Sequence, residues 1–300
     1  MTHLSSKAFL IATLSFSAWG QTNCVFPDRN QIISELKSNL FSCQEKVIGT
    51  CQYSECLGKI ADYSQAVLIT IPQQVNSLRL HFHGHHLKMK ETLPYEQGLS
   101  SMTNAFGIQG SLCHSTELTV IPGSTGKNQT YKDYFEPSDP LTGKPIKGEF
   151  YQKFFSALHG VMGNHLKESP LHLSGHSGGG KYVAGALEKG IKTSKVSVFD
   201  GIYSDTTKST LVDWHKKTGG ALMTVTVKGM SPETYSATMR TELGIRKEEQ
   251  PIIETISGVQ YQVYKKGSFN HYSRYAGPVS SLQAHFDVVT NTWPLTIQPR

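Results

Sequence analysis

Seven short apolar runs, separated by helical patterns, most limit what this chain folds into. They read "QAVLITIP", "NSLRLHFHG", "TELTVIPG", "PLHLSG", "KVSVFDG", "ALMTVTVKG" and "VQYQVYKKG". Each ends in Gly or Pro, which stop strands, and most carry the Val, Ile or Thr that favour them. Helical patterns lie between, at 148–166, 178–189, 207–217 and 231–243, and another closes the chain at 277–293. In the first, Phe150, Phe154, Leu158 and Val161 recur on one face. Ser231 and Pro232 read as the N-cap and first residue of the fourth. Strands alternating with helices predict an α/β fold, a mainly parallel sheet flanked by helices. Residues 123–147, rich in Gly, Pro, Ser, Thr and Asp, read as an excursion over the C-terminal edge of that sheet, where ligands bind in such folds. Tyr131, Tyr134 and Phe135 there either line a pocket or cover the core.

The chain divides into three expected parts. Residues 1–20 read as a signal peptide: Lys7 precedes an apolar stretch at 8–19, and Ala18 and Gly20 are spaced for cleavage before Gln21. Residues 21–62 form an expected Cys-rich, disulfide-stapled helical segment, with Ile32, Ile33, Leu36 and Leu40 on one face. Residues 63–300 form the main α/β domain. Cys24, Cys43, Cys51, Cys56 and Cys113 all lie beyond the leader, a pattern that suits an oxidising compartment. No Cys-x-x-Cys pair suggests redox or zinc chemistry. The expectation is a secreted or periplasmic protein with at least one disulfide among the first four cysteines. Asn128-Gln129-Thr130 is a glycosylation sequon, meaningful only in a eukaryotic secretory pathway. The formal charge is +6, and Lys and Arg are scattered in runs no longer than two, which gives no nucleic-acid footprint. No segment is long and apolar enough to read as a transmembrane span.

Two segments carry chemistry. "LHLSGHSGGGKYVAGAL" holds Gly175-His176-Ser177-Gly178-Gly179, the pattern G-x-S-x-G, between a strand and an Ala/Gly-containing helix. A nucleophilic serine needs such a sharp strand-to-helix turn, with glycines to let strand and helix approach. A Gly-rich turn without chemistry and a phosphate loop are the alternatives, but no Gly-Lys-Ser/Thr occurs here. "LRLHFHGHH" puts His81, His83, His85 and His86 into six residues.

On these features the region from about residue 65 onward resembles the α/β-hydrolase superfamily of serine esterases and lipases. The resemblance implies a triad in the chain order Ser, Asp or Glu, His. It also implies that the residue after a strand-terminal His-Gly donates its N–H to the oxyanion, which makes His85 and Gly178 the expected oxyanion pair. For the base, His215 and His285 fall inside helical patterns. His271 falls in "KKGSFNHYSRYAGP", read as the loop before the last helix, where the family carries its catalytic histidine. For the acid, Asp200 at the end of the fifth run is chosen over Asp205 and Glu233. The expected site is therefore Ser177, His271 and Asp200, cleaving a small-molecule or polymer-borne carboxylic ester through an acyl-enzyme with no cofactor. Two other readings stand beside it. One is a catalytically inactive hydrolase fold that binds a ligand. The other is a zinc hydrolase using His81, His83 and His86, since "HFHGHH" resembles the His-x-His-x-Asp-His signature of metallo-β-lactamase-like enzymes, with His85 in place of the Asp.

Overall fold

The computed structural model describes residues 28–84, 111–112, 115–124, 131–163, 170–246 and 248–297. The expected leader, the sequon, Cys24, Cys113, His85 and His86 lie outside the described residues.

Eleven strands among the described residues form one sheet in the order β1-β2-β3-β5-β4-β6-β7-β8-β11-β10-β9. They are β1 (Ser42–Ile48), β2 (Cys51–Gly58), β3 (Val67–Ile71), β4 (Ser77–Phe82), β5 (Glu117–Pro122) and β6 (Leu171–His176). β7 (Lys195–Phe199), β8 (Ala221–Val227), β9 (Ile252–Ile256), β10 (Val259–Lys266) and β11 (Phe269–Arg274) complete it. The centre, β5-β4-β6-β7-β8-β11, is parallel, and antiparallel strands extend it on both sides. The helices named among the described residues are α1 (Arg29–Ser38), α2 (Lys132–Phe135), α3 (Phe150–Met162), α4 (Gly179–Glu188), α5 (Asp205–Thr218), α6 (Ser231–Glu242) and α7 (Ser281–Ile297).

All seven expected strands are present. The N-terminal segment differs from expectation, because its helix stops at Ser38. Asn39 caps it by donating its backbone N–H and its side-chain amide to Glu35 O, and Leu40 turns out at φ 65, 92% exposed. A hairpin follows, and β2 pairs with β3, so this part continues the sheet. Cys43 and Cys56 face each other across that hairpin and form a disulfide; Cys51 is also disulfide-bonded.

Strand residues alternate between two faces. One face carries Ile69, Leu80, Phe82, Val120, Leu173, Val198 and Leu222, covered by α1, α3, α4, α5 and α6. Tyr131 and Phe135 are buried in this layer, so of the two readings for the excursion the core-covering one describes them. The other face packs Phe199, Met223 and Val225 against Ala284, Val288, Val289 and Trp293 of α7. Beside that apolar patch the same face is polar. Arg79 is fully buried, ion-paired to Glu117, hydrogen-bonded to Thr296 Oγ1 at 2.6 Å and stacked 4.2 Å from the Trp293 ring centre. Glu117 accepts from His172 Nδ1 at 3.0 Å, and His172 Nε2 meets Ser197 Oγ at 2.9 Å. Burial, with Arg79 beside it, pushes the His172 ring down to about 3, so it is neutral at neutral pH. Burial pushes the Glu117 carboxyl up, but Arg79 and His172 outweigh it and hold it well below the usual carboxylate range.

Removing one partner of a buried pair leaves the other charge uncompensated, at a cost of about 3–5 kcal/mol. Glu117→Gln is therefore expected to lower the unfolding free energy by about that amount in urea titrations at pH 7. Because the folded-state value of Glu117 is depressed, its contribution is complete above the ordinary glutamate value of about 4.3 and is lost as pH falls below it. The variant's acid limb should be correspondingly shallower.

Candidate active site

The turn from β6 into α4 sets the site. Ser177 lies between them with φ 51, a left-handed conformation unfavourable for a residue with a Cβ. Its N–H donates to Phe199 O at 2.9 Å, and its carbonyl accepts from Gly180 N at 3.0 Å. The turn is tight enough that neighbouring side chains are excluded. A Cβ on Gly84 would stand 2.4 Å from Ser177 Cβ, and one on Gly179 only 2.0 Å from Phe82 O. The end of β4, with its His83-Gly84 pair, thus lies directly against the serine. Gly178 caps α4 beside it.

Asp200, at the end of β7, is the second residue of the site held at positive φ, 44. Its N–H donates to Val225 O at 2.7 Å, and its Oδ1 accepts from Val227 N at 3.2 Å. Its Oδ2 lies 2.6 Å from His285 Nδ1, and Asp200 is fully buried. An ionised carboxylate only accepts, so His285 Nδ1 carries the proton and Nε2 is left as the basic nitrogen. Ser177, Gly178, Gly201, Tyr203, Met230 and His285 all line one cleft of about 740 Å³, which extends along α4 past Lys181 to Glu188.

The expected contact between Asp200 and His271 is not formed, and His285 makes it instead. The segment read as a loop is β11, so His271 sits inside the sheet beside β8, where it pairs in register with Thr224. Its Nδ1 is 2.8 Å from Thr224 Oγ1, the residue is fully buried, and burial holds its pKa well below the ordinary histidine range. It shares a face with Phe269, the face opposite α7. The other candidates are elsewhere. His215 bonds Gly220 O near the end of α5, Asp205 is exposed beside Lys208, and Glu233 accepts from Gly229 N. His285 lies on the inner face of α7, since Val288, Val289 and Thr292, three, four and seven residues on, are all buried; the apolar spacing of Val288 and Val289 was the available sequence signal.

The histidine-rich stretch is now placed in part. His81 points into the core, with Nδ1 3.0 Å from Ser174 Oγ and its ring 4.9 Å from that of Trp293. His83 donates its backbone N–H to the Tyr131 hydroxyl and its Nδ1–H to Gly84 O, at 2.9 Å each. Both rings have structural contacts. His85 and His86 lie outside the described residues, and with them the expected oxyanion donor and the third zinc ligand.

No protein-family model and no curated protein sequence matches the chain. Solved structures do. An S-formylglutathione hydrolase from Agrobacterium tumefaciens is 9% identical, matches over 85% of this chain and 99% of its own, and superposes with a TM-score of 0.50. A dienelactone hydrolase from Anabaena variabilis is 10% identical over 86% and 98%, with a TM-score of 0.43. A glucuronoyl esterase from Solibacter usitatus is 10% identical over 88% and 92%, with a TM-score of 0.40. With its sheet order and its strained strand-to-helix turn, the chain has the α/β-hydrolase fold.

The turn's tightness is testable in stability alone. Gly179→Ala drives a methyl into backbone, which cannot swing aside, and should destabilise by about 1–3 kcal/mol or more. Gly160, inside α3, has nothing within 4 Å of where its Cβ would stand. Gly160→Ala should therefore be neutral or stabilise by up to about 1 kcal/mol in the same urea titration.

Proposed function

We propose that this chain is a serine hydrolase that cleaves a carboxylic ester through an acyl-enzyme on Ser177, with His285 as general base and Asp200 as its orienting acid. The observation that carries the reading is the buried Asp200–His285 hydrogen bond, which leaves Nε2 basic on a residue that lines the same cleft as Ser177. In the first half-reaction His285 Nε2 takes the Ser177 hydroxyl proton as Oγ bonds to the ester carbonyl carbon. The tetrahedral oxyanion forms at the N-terminus of α4, where Gly178 supplies a backbone N–H and the helix its positive end. His85, next after Gly84, remains the proposed second donor, because Gly84 packs against the serine. Collapse expels the alcohol, which takes the proton from His285. Water then attacks the acyl-enzyme with His285 again as base, releasing the acid and restoring Ser177.

His285 therefore takes the role that the sequence assigned to His271, while Ser177 and Asp200 keep theirs. Asp200 serves in two ways: it fixes the tautomer and stabilises the imidazolium formed as the proton moves. Acyl-enzyme chemistry of this kind uses no metal or organic cofactor. Export, through the leader at residues 1–20, is supported by the Cys43–Cys56 disulfide, since such bonds persist in oxidising compartments. The mostly uncharged cleft beside Ser177 suits a small-molecule or polymer-borne ester.

A fluorophosphonate should label the protein at Ser177 alone, and Ser177→Ala should abolish labelling with the fold intact. His285→Gln should lower ester turnover by orders of magnitude, and Asp200→Asn by up to about 10⁴-fold with KM little changed. His271→Gln should change turnover only as far as it changes stability. A panel of p-nitrophenyl esters reads all four variants; activity that survives in His285→Gln and dies in His271→Gln would restore the other base.

A further inference from the structure

The proposed base rides on a helix, so its position depends on how α7 is seated on the sheet. The bond from Asp200 to Nδ1 fixes one atom of the imidazole but leaves the ring free to swing about that contact. Two further contacts come from His176, the last residue of β6 and the immediate neighbour of Ser177. Its Nε2 lies 2.9 Å from the backbone O of His285. A carbonyl only accepts, so Nε2 of His176 carries the proton. The two imidazoles also pack against each other, 4.5 Å between ring centres and tilted by 37°. His176 is 1% exposed, which holds it in one rotamer.

We propose that His176 is a positioning residue that ties the backbone of His285, through its Nε2–H, to the strand carrying the nucleophile. The proposal rests on the reading of Ser177 and His285 as nucleophile and base. One residue is then covalently adjacent to the nucleophile and hydrogen-bonded to the base, so a shift of β6 carries both together. Productive proton transfer needs heavy atoms within about 2.6–3.2 Å, and a misplacement of about 1 Å can cost about 10²-fold in rate. Burial, with His285 beside it, keeps the His176 pKa well below the ordinary range. It therefore stays neutral and adds no second cation next to the imidazolium.

Two variants of the full chain separate the contacts. His176→Phe keeps a buried ring and removes the donor; His176→Gln removes the ring and keeps an N–H that reaches the same carbonyl. Kinetics on a p-nitrophenyl ester are read beside the low-field proton resonance of the His285 Nδ1–H shared with Asp200. His176→Phe is expected to lose about tenfold to a hundredfold in kcat with KM within about twofold, and to lose or broaden that resonance. His176→Gln should recover most of both. Wild-type kcat and resonance in folded His176→Phe would overturn the proposal, as would equal impairment of the two folded variants. If His176→Phe does not fold, His176→Gln decides: near-wild-type turnover supports the tie, and a tenfold loss overturns it. If wild-type protein is not labelled at Ser177, the hydrolase reading fails by itself. The resonance then judges the tie, its loss in His176→Phe supporting it and its persistence overturning it.

Discussion

The hydrogen bond between Asp200 and His285 joins the end of β7 to the first turns of α7, and the site is built around it. It is buried on both sides, so water does not compete for the carboxylate. It sets the imidazole tautomer, and through the tautomer which nitrogen is basic. The backbone beside it is strained. Ser177 and Asp200 are both held at positive φ, and the N–H of Ser177 donates to the carbonyl of the residue before Asp200. Each left-handed residue costs of order 1–3 kcal/mol and persists only when its surroundings over-determine it. Here ladder-like bonds to Phe199, Val225 and Val227 do so.

The helix that carries His285 is itself held at both ends by polar contacts. Near its start are Asp200 and His176. Near its end Arg79 reaches Thr296 and stacks on Trp293, while Lys195 donates to Thr296 O. Between these ends Ala284, Val288 and Val289 supply the apolar contact. Apolar burial is non-directional and tolerates sliding, whereas hydrogen bonds and a buried ion pair fix register. The polar patch under α7 is thus well suited to hold a helix at one setting, the condition for a base to sit within a few tenths of an ångström of its partner.

The fold was legible in the sequence, and so were two residues of the proposed site. Apolar runs ended by Gly or Pro located the parallel core. The Gly-x-Ser-x-Gly turn located the serine, and the charge at the end of "VSVF" located Asp200. The proposed base was not, for a physical reason. "FNHYSR" reads as a loop because many of its positions are polar, yet both of its faces are covered; His271 bonds Thr224, and Arg274 donates to the carbonyls of Tyr275 and Ala276. A buried strand rich in polar residues is invisible to a hydrophobic pattern. The two-residue Gly267-Ser268 connection after "VQYQVYKK" was the available signal for a hairpin. The hairpin at 42–58 was hidden likewise, as only its inner half is buried.

The most direct test is a crystal structure of the protein after reaction with a fluorophosphonate. The phosphonyl group mimics the tetrahedral intermediate and reports nucleophile, oxyanion donors and base in one map. The account predicts phosphorus bonded to Ser177 Oγ, the phosphoryl oxygen accepting from Gly178 N, and His285 Nε2 facing the adduct with Nδ1 still on Asp200. An adduct on another residue, or one faced by His271 with His285 turned away, would contradict it.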